Sequence, residues 1–401
     1  MKIAYYCNYV GNDFRERFCQ GKKFALSGIL KSQGIARALL KAGHEVIIYS
    51  PALTICNRFI SSFEEREDFE EGTLTVKYPS LLSYRKFGVF NNYMLKRLIR
   101  KDLRKQRYDV FLFYNITQGA AMSIDMFKDA IKILEYEDNI FNKNLVGETN
   151  KYGSYKQRLF DYIIPRTDGV MSVCMGMLTN GEVPFRILTP GIVNDEVVSS
   201  VSNRRNTLIE GKPVKIFLTG GTHYSKGSDL LIGALRYVKT PCTLEIYGNG
   251  AFYQKALDEL KLVPDYHQVH LNGYMPHGDL MKLLDKEADI LINTTRSMGV
   301  GAQAAGFPFK MMEYASTGRP IVSSELGKFD DDFNRHVSYY EGEDPQKIAD
   351  VIEDVIHNYD AKVTKALELQ KRVLDEFSIS GTSRKLDTFI KQIQTGKQKL
   401  Q

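Results

Sequence analysis

The sequence predicts an α/β protein built as two Rossmann-like, doubly wound domains facing across a cleft, and three observations predict it. The length of 401 residues suits two domains, each with its own core. Short apolar runs alternate with helical stretches through both halves of the chain. A strand, a glycine-containing turn and a helix open the first half and recur from Val214.

Residues 2–7 read as a strand, followed by a polar loop to about Gly28. The segment ILKSQGIARALLKAGHEVIIYS then gives an amphipathic helix, a stop at Gly43 and a second strand. Val110 to Tyr114, Ile131 to Glu135, Gly169 to Val173 and Arg186 to Leu188 continue the alternation. A first domain over 1–192 and a polar linker over 193–212 follow from this pattern. The second domain, 213–375, has strands at Val214 to Leu218, CTLEIYG, VHLNGYM, ADILINT and PIVSS, with helices from Lys226 and from Ala251. A helix from Pro308, stopped at Gly318, feeds the last of these strands. The helices beyond Pro345 are polar enough to lie outside, and residues 376–401 form a final helix expected to pack back on the first domain.

Apolar residues make up 43% and charged residues 25%, an ordinary globular balance. The net charge of +6 is too small and dispersed to point to nucleic acid, and it suits anionic substrates. Five scattered cysteines with no C-x-x-C pair suggest neither a disulfide framework nor a zinc site. The N-terminal apolar run breaks at Asn8, too short for a signal peptide, and no run of about 18 apolar residues occurs. A cytoplasmic protein is expected, with any membrane contact peripheral.

Four segments draw chemical interest. In TGGTHYSKGSDLLIGAL, residues 219–235, Gly220 and Gly221 let backbone amides approach an anion, and Lys226 adds a point charge. The same residues read equally as a plain strand-to-helix turn with a surface lysine. Glu313 is set about a turn and a half into its short apolar helix, after the small-residue loop 298–307 that holds Gly301. Such a carboxylate suits two neighbouring sugar hydroxyls, and it equally suits a structural pair with Lys or Arg. LEYEDNIFN places Glu135, Glu137 and Asp138 together, either to orient hydroxyls and take a proton or as a solvated loop. Residues 85–107 hold nine basic residues against one acid with aromatics interleaved, a helix for an anionic membrane or a surface helix facing its own core. FDDDF, residues 329–333, is a surface loop rather than a metal site.

GGTHYSKGSDLLIGAL, LEIYGNG, VHLNGYMPHGDLMKLLDKEADILINTT and FPFKMMEYASTGRPIV, in this order, resemble the C-terminal domain of glycosyltransferase family 4, retaining enzymes of GT-B fold. SGILKSQGIARALLKAGHEV, RTDGVMSVC and ILTPGIVNDEV extend the resemblance over nearly the whole chain. It implies a nucleotide-sugar donor as substrate, no cofactor and no metal. The donor diphosphate would be held by Lys226 with Gly220 and Gly221, and the ribose by Glu313. The loop with Gly301, together with Lys310 of the Pro308-x-Lys310 form, would wrap sugar and phosphates. Ser27 and Gly28 match the turn on the acceptor side. Two departures stand out: Ala305 where many members have glutamate, and Gly221 where many have arginine. Arg296 or His223 is the expected replacement charge. Lys226, Glu137 and Asp138 are the expected catalytic groups. The acceptor would be a glycan or lipid-linked sugar of a surface polysaccharide, at the inner membrane face. Two rivals remain: a nucleotide-sugar 2-epimerase, and a catalytically silent scaffold, which Ala305 keeps open.

Overall fold

A computed structural model of the chain describes residues 1–19, 26–52, 58–82, 87–138, 150–174, 183–194, 207–222, 224–248, 254–296 and 307–400. Its contacts divide it into two units, Met1–Ile192 with Ile379–Gln401, and Val193–Ser378. Each carries its own apolar core.

The first unit runs β1 (Lys2–Tyr6), α1 (Asn12–Phe18), α2 (Leu26–Lys41), β2 (Glu45–Tyr49), β3 (Phe59–Ile60), β4 (Phe63–Phe69), β5 (Gly72–Tyr78), β6 (Leu81–Leu82) and α3 (Gly88–Leu103). It continues with β7 (Val110–Tyr114), α4 (Gln118–Ser123), β8 (Ile131–Tyr136), α5 (Asn150–Ile163), β9 (Gly169–Ser172) and β10 (Phe185–Leu188). Eight strands form one sheet in the order β10-β9-β8-β7-β1-β2-β5-β4, parallel except for the β4–β5 hairpin. The order reverses between β1 and β7, so side chains beyond their C-terminal ends converge on one crevice.

The second unit runs β11 (Val214–Thr219), α6 (Ser228–Ala234), β12 (Cys242–Tyr247), α7 (Gln254–Leu260), β13 (Gln268–Gly273), α8 (His277–Glu287) and β14 (Ile290–Asn293). After these come α9 (Lys310–Thr317), β15 (Ile321–Ser324), α10 (Asp331–Asn334), β16 (Ser338–Tyr340), α11 (Pro345–His357) and α12 (Tyr359–Phe377). Its six strands are all parallel, in the order β13-β12-β11-β14-β15-β16. This is the 3-2-1-4-5-6 winding of dinucleotide-binding sheets, and its switch point lies between β11 and β14.

Three expectations are corrected. The stretch before Gly28, read as loop, contains α1. The helix α2, read as amphipathic, is buried from Gly34 to Leu40. The reason is the last helix, α13 (Ile379–Leu400), whose Leu386, Phe389, Ile390 and Ile393 join Ile35, Leu39 and the sheet in one core. The helix expected from Pro308 begins at Lys310, which places Glu313 in its first turn. Gly318 ends it in the left-handed region at φ 66°, where a side chain would be strained. Asp330 of FDDDF caps α10 through Phe333 N and takes both Arg372 terminal nitrogens at 2.7 and 2.6 Å. Among the described residues no helix is long and apolar enough to cross a membrane.

Candidate functional site

At the switch point of the second unit, β11 ends at Thr219 and the chain turns through Gly220 at φ 116°. A Cβ on Gly248, at the end of β12, would lie 1.7 Å from the Gly220 carbonyl oxygen, so the two turns need glycine to pass. Thr219 N donates to the Tyr314 hydroxyl of α9 at 2.9 Å, which ties the end of the strand to that helix. From the same helix Lys310 reaches back, its Nζ donating to the Thr219 carbonyl at 3.3 Å.

Lys226 closes a single helical turn, Tyr224–Lys226, ahead of α6. Gly227 follows at φ 68°, and a Cβ there would stand 2.2 Å from the Thr294 carbonyl oxygen. Backbone conformation and space therefore both demand glycine behind Lys226. Thr294 Oγ1 donates to the Lys226 carbonyl at 2.8 Å, and Arg296 N donates to Ser225 O at 2.9 Å. The turn is thus pinned from β14, on the other side of the switch point.

Both lysines are half-buried cations. Burial pulls Lys226 below the usual lysine range. Lys310 falls further, to about 7, first through burial and then through repulsion from Lys226, with Glu313 pulling the other way. Neither ammonium is ion-paired with a described carboxylate, and of the described acids Glu313 offsets part of the Lys310 charge. A di-anionic group fits this crevice.

Glu313 stands on the same helix, three residues on from Lys310. Its partner is neither Lys nor Arg but His277, the first residue of α8, whose Nε2 lies 2.6 Å from Glu313 Oε1. Burial lowers the His277 pKa, and the Glu313 carboxylate outweighs it, so the ring sits above its ordinary value.

Arg296 is not the replacement charge expected of it. Its side chain is buried, with Nη2 2.8 Å from both Asp229 oxygens and Nε 2.8 Å from Glu343 Oε2. It donates to the Tyr224 carbonyl and lies 3.9 Å over the Tyr224 ring. With its charge neutralised by two acids, Arg296 shapes the turn that presents Lys226.

The acids of the first unit gather at its own switch point. Glu135, fully buried on β8, accepts from the Tyr5 hydroxyl. Lys31, buried on α2, lies 2.5 Å from Glu137 Oε1 and 3.7 Å from Glu135 Oε1. Tyr114 OH donates to Glu137 Oε2 at 2.6 Å, so both Glu137 oxygens are occupied. Asn115, held at φ 54°, accepts from the Glu137 and Asp138 amides at 2.8 and 3.1 Å and donates Nδ2 to Asp138 at 2.9 Å. Burial pushes Asp138 up, and Glu137 adds to the push. Glu135 is buried and Glu137 half-buried in this hydrogen-bonded network, while Asp138 at its end is exposed to solvent.

The structure thus brings Gly220, Gly221, Lys226, Lys310 and Glu313 to one end of the second sheet, and Glu137 and Asp138 to one end of the first. Ser27 and Gly28 lie in the first turn of α2, the helix that carries Lys31; the Ser27 side chain is outside the described residues. Gly301, Ala305 and His223 are also outside them. His277, Lys31 and Asn115 were not singled out in the sequence. Lys31 had a signal, a cation on the apolar face of a helix, and His277 directly follows a helix-opening proline.

Residues 213–358 match the family model described as glycosyl transferases group 1. No curated protein matches the chain in sequence. Among solved structures, a sucrose-phosphate synthase from Thermosynechococcus elongatus aligns with a TM-score of 0.68 at 12% identity, over 98% of this chain and 99% of that one. A glycosyltransferase from Rickettsia africae aligns with a TM-score of 0.68 at 15% identity, over 98% of each chain. Anabaena HepE, in complex with UDP, gives a TM-score of 0.63 at 14% identity, over 98% and 100%. The fold is GT-B. At these identities the likeness is one of fold, and the chemistry of this GT-B chain rests on its own residues. Lys226, Arg296, Lys310, Glu313 and His277 all fall inside the matched segment.

Proposed function

We propose that the protein is a retaining, metal-independent glycosyltransferase that moves a sugar from a nucleotide-sugar donor to a glycan or lipid-linked acceptor in surface polysaccharide synthesis, at the cytoplasmic face of the membrane. The observation that carries this reading is the pair of half-buried lysines, neither ion-paired with a described carboxylate, at the switch point of the second sheet, with the Glu313 carboxylate on the same short helix as Lys310. In this reading Lys226 and Lys310 take the donor diphosphate, and the Gly220 turn lets it approach the backbone. Glu313 exchanges His277 for the two ribose hydroxyls. As the bond from the sugar's anomeric carbon to the diphosphate breaks, negative charge grows on the leaving oxygen, where both ammonium groups stabilise it. That oxygen takes the acceptor proton, so no protein nucleophile is needed. Asp138, with Glu137, orients the acceptor on the first unit.

Thermal-shift titration with UDP, GDP, ADP, CMP and their sugar conjugates tests the donor site. One nucleotide is expected to raise the melting temperature, and Glu313→Ala is expected to abolish the rise. Binding that survives the substitution would remove Glu313 from the site. Tight binding with no hydrolysis or transfer across a broad donor panel would favour the silent scaffold instead.

The lysine pair also sets a pH dependence. In the free protein, burial and then Lys226 pull the Lys310 pKa down to about 7. A bound diphosphate supplies the missing counter-charge and raises that value, so binding takes up a proton at alkaline pH. Nucleotide affinity should be flat below pH 7 and fall by up to about tenfold per pH unit above it, until the raised pKa is reached. Calorimetry in buffers of different ionisation enthalpy reads the proton directly. Lys310→Arg, which keeps its charge, should flatten the profile and leave any His277 contribution in place.

A further inference from the structure

We propose that α3 and the adjoining corner at β3 form an interfacial surface that seats the first unit on an anionic lipid bilayer. The helix buries Asn91, Leu95, Ile99 and Asp102 against its own unit. At 100° per residue, Tyr93, Arg97, Arg100 and Arg104 then line up on the opposite, outward face. That face is divided along its length. Its N-terminal half is apolar, with Val89 62%, Phe90 40% and Tyr93 53% exposed. Its C-terminal half is cationic, with Arg97, Arg100, Lys101 and Arg104 all exposed.

The apolar end is wider than the helix. Phe59 of β3, 60% exposed, pairs with Leu82 of β6, and Leu82 N donates to Asn91 Oδ1 at 2.9 Å. An exposed aromatic from a separate strand therefore adjoins the same end of α3. Large apolar side chains in water are unfavourable when they cluster, and a cluster bordered by charge marks a surface meant to be covered.

The charge selects what covers it. Asp102 is the one acid in residues 85–107, and it is turned inward, accepting from Tyr49 OH at 2.8 Å and Lys77 Nζ at 2.6 Å. No described carboxylate pairs with Arg97, Arg100, Lys101 or Arg104. A helix kept only for solubility mixes both signs on its outer face. Here one sign stands beside exposed aromatics, the combination that lets rings enter the headgroup boundary while arginines meet anionic phosphates.

The chain contains no tryptophan, so Tyr93→Trp gives a single emission reporter on this face. With the full chain, its emission should shift to the blue when phosphatidylcholine vesicles containing phosphatidylglycerol are added, and stay unchanged with phosphatidylcholine alone. Co-sedimentation with the same vesicles should weaken by roughly 30-fold for Arg97→Gln with Arg100→Gln, at about a factor of five for each charge removed. Both substituted positions are solvent-exposed, so unfolding and nucleotide-induced stabilisation should match the parent. Equal binding to neutral and anionic vesicles, or binding indifferent to the double substitution, would overturn the proposal. So would retention on heparin or an oligonucleotide without binding to either vesicle. None of these outcomes bears on the donor site, which lies in the other unit.

Discussion

Lys226→Ala is expected to lower the rate of sugar transfer by about 10²–10³-fold while leaving the protein as stable as before, or more so. The two halves of this expectation have one cause. In the free protein the Lys226 ammonium is half-buried with no described carboxylate paired to it and repels Lys310, which is a cost to the folded state. Its removal relieves that cost and lets Lys310 titrate nearer its ordinary value. The charge is useful only when a diphosphate arrives, and most useful when the bond to the sugar is breaking. Turnover should therefore fall more than nucleotide affinity, because part of the ground-state attraction persists through Lys310. Steady-state kinetics with the donor found by thermal shift, alongside denaturant unfolding, separates the effects. Unchanged turnover would remove Lys226 from the reaction, and a matched loss of stability and activity would make it structural.

How much of this was legible depended on whether a residue's role is local. A strand such as Val110–Tyr114, VFLFY, is a continuous apolar run because helices cover both faces of a parallel sheet, and such runs stand out in sequence. The hairpin strand Phe63–Phe69, FEEREDF, did not read as a strand at all. Its inward positions are Glu65 and Glu67, buried to receive the Phe14 and Asn12 amides at 2.9 and 2.8 Å, so alternation places acids where apolar residues are expected. The same loop-capping use explains why α1 was missed: its N-terminal partners lie more than 50 residues away in sequence. In the site, Lys226 and Glu313 were found through ordered motifs, and the pairing of Glu313 with His277 was not, since it joins two helices across 36 residues. Arg296 was misread for a similar reason. A basic residue in a loop after a strand looks available, and only the fold brings Asp229 and Glu343 against it.

The second large effect is one of stability. Lys31→Met is expected to destabilise the first unit by about 3–5 kcal/mol, lowering its melting temperature by on the order of 10 °C. Lys31 is 2% exposed between Glu135 and Glu137, and it is the cation that offsets two acids at the end of β8. Methionine matches its length and leaves Glu135, fully buried beside Tyr5, without a counter-charge. Glu135 is already pushed up by burial, with Lys31 drawing it back and Glu137 pushing it further. Without Lys31 it must rise higher still. A carboxyl whose folded pKa exceeds its unfolded value contributes stability that is full below the unfolded value and is lost as pH rises through the folded one. The variant should therefore lie closest to the parent near about pH 5 and fall away towards about pH 8, the reverse of an ordinary salt-bridged acid. Adding Glu135→Gln should recover much of the loss and remove the pH slope, because a neutral amide can still accept from Tyr5. Hydrogen exchange at β1 and β8 reads this in the first unit alone. A Lys31→Met protein equally stable at both pH values would mean that Glu135 is neutral in the parent, and that Lys31 is there for Glu137 instead.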